Sequence, residues 1–361
     1  MRFVVSIFTC ALLASAQSNE LRIYYVDVEG GQETLFISPS GQTMLVDTGN
    51  PGGRDTDRLM LAMQDAGVKE LNFVVLTHYD RDHAGGLKEL SERVPIHNFW
   101  DHGADMNNPE QVKGLMDYYP SIYAKGTHHV AKPGDKIPIE GMNVLVVTSG
   151  GEVIKKALPG GGKPNPECAA FKRRDEPDDE NRNSLGTVIT YGKFRTIDLG
   201  DFLWNYEYNL MCPNNPIGQV DLYLTSHHGL DRSGSATLVH ALHPQVAIMN
   251  DGPRKGGTPQ TMGTLYSSPG LADVWQLHWA YPGGLEWNAP GHFIANVEDP
   301  QKVAEFLMHP DVRPPGGRGA YAAAGNHSPA YWIKVTAHAD GSFTVLNSRN
   351  NFSKTYQSER R

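Results

Sequence analysis

The stretch that most limits what this chain can fold into is residues 77–86, THYDRDHAGG. It follows LNFVVL, a run of β-branched and aromatic residues that reads as a buried strand. It leads into GGLKELSERV, which reads as a helix. One strand-to-helix turn therefore holds His78, Asp80, Asp82 and His83. Its two carboxylates would repel each other unless a cation sat among them. Neutral imidazoles and ionised carboxylates are both metal donors. So short a segment cannot enclose an ion alone, and other strand ends must complete the site. The carboxyl end of a strand is a usual address for a site in layered α/β folds.

Three later segments offer such ends. SLGTVITYGKFRTIDLGD predicts a hairpin whose second strand ends at Asp201. VDLYLTSHHG predicts a strand ending at His227-His228, and PQVAIMNDG one ending at Asp251. These side chains converge if the strands are neighbours. Asp201 is placed to bridge two cations and a late histidine to close one site. Two ions so held would activate a water and stabilise a leaving oxygen. Upstream, LRIYYVDVEGGQETLFISPSGQTMLVDTGN reads as successive antiparallel strands, with Leu21, Ile23 and Tyr25 alternating and Pro39-Ser40-Gly41 as punctuation. Residues 56–66 carry apolar side chains at helical spacing, with Gly67 just past the end. Residues 149–183, dominated by Gly, Pro and charge, read as an insertion loop, either a flap over the site or a surface excursion. Trp275, Trp279 and Trp287 are expected to fill the core rather than line a substrate wall.

The 361 residues carry a net charge of −8 and no polybasic tract, which argues against extended nucleic acid as a partner. The first residues, MRFVVSIFTCALLASA, have a basic start, a short apolar run and a small-residue end, the layout of a secretory signal. The expectation is a secreted or periplasmic protein: a signal over 1–16, then a single domain over 17–361. No later segment is apolar and long enough to span a membrane. Cys168 and Cys212 would remain. In an oxidising compartment they could pair, and two free buried thiols fit equally well.

The quoted motifs resemble the metallo-β-lactamase superfamily, whose common signature is H-x-H-x-D-H. Here Asp80 stands at the second histidine. That variant is similar to the hydrolase domain of ComEC-type DNA-uptake proteins. VDVEGGQE resembles their opening motif, with Glu29 and Gly30 in place of its usual glycine and glutamine. The likeness covers about residues 21–255. It implies an α/β fold, the αββα sandwich of two facing mixed sheets flanked by helices, with the site at one edge.

It also implies roles. His78 and Asp80 match the first-metal positions, Asp82 and His83 the second. Asp82 is in addition the catalytic candidate that orients or deprotonates the attacking water. Asp201 matches the bridge and His228 the last ligand, leaving His227 as a further metal contact, a support behind the ligands or a substrate contact. The family's third-motif histidine has no counterpart. Asn183 stands nearby as a neutral oxygen donor, and His128-His129 could approach from a loop. The implied cofactor is two divalent metal ions, Zn or Mn, the extra carboxylate favouring the harder ion. The implied reaction is hydrolysis of a phosphoester or phosphodiester in a small or nucleotide-like substrate, with Arg254, Lys255 and Ser233 as candidate substrate contacts. A lactam, lactone or ester hydrolase is the alternative within enzymes. A secreted binding protein on a degenerate hydrolase fold is the alternative of another class.

Overall fold

Alternation in ELRIYY puts Leu21, Ile23 and Tyr25 on one face of the strand Glu20–Tyr25 and Tyr24 on the other. Both faces are buried, in two different cores. The computed structural model describes residues 19–104, 114–177, 179–298, 300–308 and 327–360. Among them two large sheets face each other. The first runs edge to edge through Ser353–Gln357, Ser342–Asn347, Ile333–His338, Glu20–Tyr25, Thr34–Ile37, Thr43–Val46, Leu71–Val75, Ile96–Asp101 and Thr127–Val130. The second runs through Ile294–Asn296, Asp273–His278, Val246–Met249, Leu222–Leu224, Phe194–Asp198, Gly186–Tyr191, Asn143–Ser149 and Lys136–Ile137, with Glu152–Val153 paired to Asn143–Ser149.

The layers follow from which faces are apolar. Phe36, Val75 and Trp100 of the first sheet meet Ile189, Leu224 and Trp275 of the second in the central core. The helices Arg54–Ala66 and Leu87–Arg93 cover the outside of the first sheet through Leu59, Met63, Leu87 and Leu90. Trp204–Met211, Ala236–Leu242 and Pro259–Tyr266 cover the second through Leu210, Leu238, Leu242, Met262 and Leu265. This is the αββα sandwich. Each fully buried Leu or Phe contributes roughly 1.5–3 kcal/mol. Trp275 and Trp279 lie in the central core, and Trp287 packs against the outer helical layer.

Parallel pairing positions the site. Thr43–Val46 pairs with Leu71–Val75, and Phe194–Asp198 with Leu222–Leu224, each in parallel. Parallel neighbours end together, so the turns after all four strands come side by side. The first helix begins at Arg54, two residues before the expected start, and ends where Gly67 takes φ 73°.

The insertion is a built segment. Lys163–Pro164 pairs with Asn214–Asn215, and short 3₁₀ turns form at Pro166–Ala169 and Glu180–Asn183. A disulfide joins Cys168 to Cys212. The amide of Asn165 donates to the carbonyls of Met211 and Thr237 at 3.2 and 2.9 Å. Among the described residues no helix is long and apolar enough to cross a membrane. The expected signal over 1–16 lies outside the described residues.

Candidate metal centre

The strand Leu71–Val75 delivers Thr77 and His78, and the four-residue helix Arg81–Ala84 carries Asp82 and His83. Asp201 sits on the turn after Phe194–Asp198, and His227 and His228 on the turn after Leu222–Leu224. The main chain ties these turns together. His227 N–H donates to Gly200 at 3.0 Å, and Leu185 N–H to Thr77 at 2.7 Å. Gly200 has φ 55°, and a Cβ there would lie 2.8 Å from Thr77. Asp82, His83, Asp201 and His228 each turn a ligand atom inward, all within 4.8 Å of one another.

The distances show Asp201 in the middle. Its Oδ1 lies 3.2 Å from His83 Nε2. Its Oδ2 lies 3.2 Å from His228 Nε2, 3.4 Å from His227 Nε2 and 4.0 Å from His78 Nε2. Asp82 Oδ2 lies 3.3 Å from His228 Nε2 and 3.6 Å from His83 Nε2. Asp80 Oδ2 lies 3.6 Å from His78 Nε2. The three histidines 78, 83 and 228 are fully buried, whereas Asp80, Asp82 and Lys255 keep 30, 23 and 19% of their side chains exposed. The mouth of the site is therefore lined by these three.

Hydrogen bonds behind the rings fix which nitrogen faces inward. Asp47 accepts the Thr77 hydroxyl at 2.6 Å and His83 Nδ1 at 2.7 Å. With its only proton given to Asp47, Thr77 Oγ1 accepts from His78 Nδ1 at 3.0 Å. Ser233 likewise gives its proton to the Phe202 carbonyl at 2.7 Å and accepts from His227 Nδ1 at 3.2 Å. Three imidazoles thus direct Nδ1 to an oxygen behind the ring and turn Nε2 toward carboxylate oxygens. Buried carboxylates gathered around these nitrogens call for positive charge among them, which protons or metal ions can supply. His78 Nε2 is buried with no hydrogen bond. The donor set fits divalent metal ions.

Charge agrees. Burial would raise the Asp82 carboxyl, but Lys255, His83 and His228 hold it well below the usual range. Burial would also raise Asp201, and the histidines 227, 228 and 83 hold it well below. Burial would lower His83, yet Asp201, Asp47 and Asp82 raise it well above the ordinary imidazole value. The carboxylates draw positive charge into the cluster, which divalent ions would supply. Burial lowers His227 to about 3, so it is neutral.

The other expected contacts fall differently. Asp251 does not join the cluster; it accepts from Gln276 Nε2 at 2.8 Å and His278 N–H at 3.0 Å. The strand carrying Asp251 is a neighbour, but the turn after it leads the side chain toward Asp273–His278. Arg254 is not a free phosphate clamp, because Glu298 holds its guanidinium at 3.0 and 2.9 Å. Ser233 is buried behind His227 and does not face substrate. Lys255 does reach the mouth, 2.5 Å from Asp82 Oδ2. The amide of Asn183 donates to Glu180 at 3.0 Å. His128 bonds Asp101 at 2.7 Å, and His129 stacks on Trp100. Asp47 and Thr77 were not singled out from sequence. The signal was the strand end in TMLVDTG, which parallel pairing brings beside Thr77.

Residues 28–164 match the family model of the metallo-beta-lactamase superfamily. Over that segment the chain is similar to the metallo-beta-lactamase superfamily. The matched segment holds the HYDRDH turn, and the rest of the candidate site comes from strand ends beyond it. A coenzyme F420H(2) oxidase of Methanothermobacter thermautotrophicus is 35% identical over 104 residues, 27% of this chain and 23% of the oxidase. Mouse metallo-beta-lactamase domain-containing protein 1 is 28% identical over 137 residues, 36% of this chain and 51% of that protein. The chain thus spans about a quarter and about half of the length of these two relatives. Among solved structures, a metal-dependent hydrolase of the beta-lactamase superfamily is similar with a TM-score of 0.41 and 15% identity, covering 71% of this chain and 95% of its own. A diphosphatase of the PhnP family is similar with a TM-score of 0.38 and 13% identity, covering 70 and 95%.

A second group of metal-type donors gathers elsewhere: Asp27, Glu29, His278 and His327. His278 Nε2 lies 2.9 Å from Asp27 Oδ1, and His327 Nε2 3.1 Å from Asp27 Oδ2. Arg58 reaches Asp27 and Glu29 at 3.0 and 2.8 Å, and Arg54 reaches Glu29 at 3.0 Å.

Proposed function

We propose that this protein is an exported, metal-dependent hydrolase with a dinuclear centre, acting on phosphoesters or phosphodiesters of small or nucleotide-like molecules. The observation that carries it is Asp201, whose two oxygens face different histidines as a bridging carboxylate would. His78, Asp80 and Asp201 would hold one ion, and Asp82, His83, His228 and Asp201 the other. When bound, two such ions activate a water and neutralise charge on a leaving oxygen. Asp82, at the mouth and kept ionised, accepts a hydrogen bond from that water and orients it. Lys255 supplies a fixed positive charge beside the reacting group, which favours an anionic substrate. Asp47 and Thr77 hold His83 and His78 in the inward tautomer. The Asp80-for-His substitution, shared with the ComEC-like domains, supports the phosphoester reading, and the Cys168–Cys212 disulfide supports an oxidising compartment.

The test is turnover of a chromogenic phosphodiester, a chromogenic cephalosporin and a lactone by the metal-loaded protein. Preferential cleavage of the phosphodiester is expected, with Lys255→Ala raising KM for it. Faster turnover of the cephalosporin or lactone would overturn the substrate class, and no turnover of any would favour a binding protein.

A further inference from the structure

The family's third-motif histidine is missing, and without it the first site has only His78, Asp80 and one oxygen of Asp201. We propose that His227 fills that place as a ligand of the first metal through Nε2, with Ser233 as its positioning residue. The proposal rests on the dinuclear reading above.

Three observations converge. First, direction: His227 Nε2 lies 3.4 Å from Asp201 Oδ2, an oxygen that His228 and His78 also approach at 3.2 and 4.0 Å, yet it falls outside the close group of Asp82, His83, Asp201 and His228. His83 lies on Oδ1. Second, tautomer: Ser233 has one proton, the acceptor-only Phe202 carbonyl takes it, and the hydroxyl must then accept from His227 Nδ1. The inward nitrogen is left as a donor to metal, in the same way that Thr77 leaves His78. Third, backbone: His227 and His228 both adopt left-handed conformations, φ 55° and 58°. Such a conformation is strained for a residue other than glycine and persists where the surroundings require it. The conformation sends the two imidazoles in divergent directions, 80° apart in plane with ring centres separated by 6.1 Å. An extended backbone would place adjacent side chains on opposite faces and withdraw one of them from the site. The two adjacent histidines therefore serve different ions across the shared Asp201.

The experiment is a metal titration of demetallated full chain, separately with Zn²⁺ and Mn²⁺, read by elemental analysis after dialysis and by the visible spectrum of the Co²⁺-substituted protein. Wild type should hold about two equivalents. His227→Ala should keep one tightly and bind the other at least about 30-fold more weakly, and Ser233→Ala, which leaves the imidazole in place, about 10-fold more weakly. The Co²⁺ spectrum should lose one component in the first variant and shift in the second. Two equivalents at wild-type affinity in His227→Ala would overturn the assignment and leave the dinuclear reading standing. Should that variant fail to fold, unchanged affinity and spectrum in Ser233→Ala would overturn it instead. Fewer than two equivalents in wild type would overturn the dinuclear reading, and the assignment with it.

Discussion

The two donor clusters share their inward geometry and differ in charge. In each, two imidazole Nε2 atoms lie 3.1 Å apart beside a carboxylate: His83 and His228 in one, His278 and His327 in the other. Around the first stand Asp47, Asp80, Asp82 and Asp201, with Lys255 as the fixed cation at its mouth. Around the second, Asp27 and Glu29 pair with Arg58 and Arg54, the latter shared with Asp55. An excess of buried carboxylate calls for added cations; a set already paired with two guanidinium groups has less need of them. Donor type and spacing alone therefore do not distinguish a metal site from an ion-paired clasp. The charge balance does.

The largest expected effect tests this difference directly. Chelation should abolish turnover, and restoring a divalent ion should recover it. Asp27→Asn should retain the same metal content as wild type. Loss of metal from Asp27→Asn would place an ion in the clasp and break the comparison.

Asp201→Ala should weaken both equivalents by more than about 100-fold, because a bridging carboxylate offsets the repulsion between two cations. Wild-type binding of two equivalents by this variant would remove Asp201 as the bridge.

Arg58→Met should leave metal content unchanged and destabilise the fold by about 3–5 kcal/mol, since Asp27 and Glu29 would stay buried with half their compensation gone. Denaturant unfolding measures it. A change below about 1 kcal/mol would mean that the histidines and Arg54 suffice.

The smallest effect is the pH dependence of the clasp. Burial would raise Asp27, but His278, His327 and Arg58 hold it well below its ordinary value of 3.8. Burial would lower His327, but Asp27 raises it above its ordinary 6.5. The Asp27 contribution is complete above 3.8 and lost as pH falls through its depressed folded value. The His327 contribution is complete below 6.5 and lost as pH rises through its raised folded value. The Tm difference between wild type and His327→Ala should therefore be largest between pH 3.8 and 6.5 and shrink on either side. A difference that is flat with pH would show that His327 packs without pairing.

Much of the site was legible because its donors are close in sequence or sit at strand ends. HYDRDH fixes its residues within one turn, and Asp201 and His228 each end a run that reads as a strand. Gly67 marked its helix end for a local reason, its left-handed backbone. Arg254 was misread because its partner, Glu298, lies beyond the segment that carries the resemblance. Ser233 was misread because only the fold shows that its proton goes to Phe202. The helix Arg54–Ala66 was placed within two residues, but Arg58 on it could not be assigned to a clasp with His278 and His327.

The sequence by itself determined the strands, the helices and the donor inventory, because period-2 and helical apolar patterns dictate which faces bury and adjacent donors travel together, whereas the sandwich was implied by the family resemblance. Tertiary structure decided which imidazole nitrogen faces inward, that Asp47 and Thr77 stand behind the candidate ligands, and which of two similar clusters is paired with arginines. Those outcomes depend on protons and charges brought together by pairing between distant strands, and such pairings leave no local period in the chain.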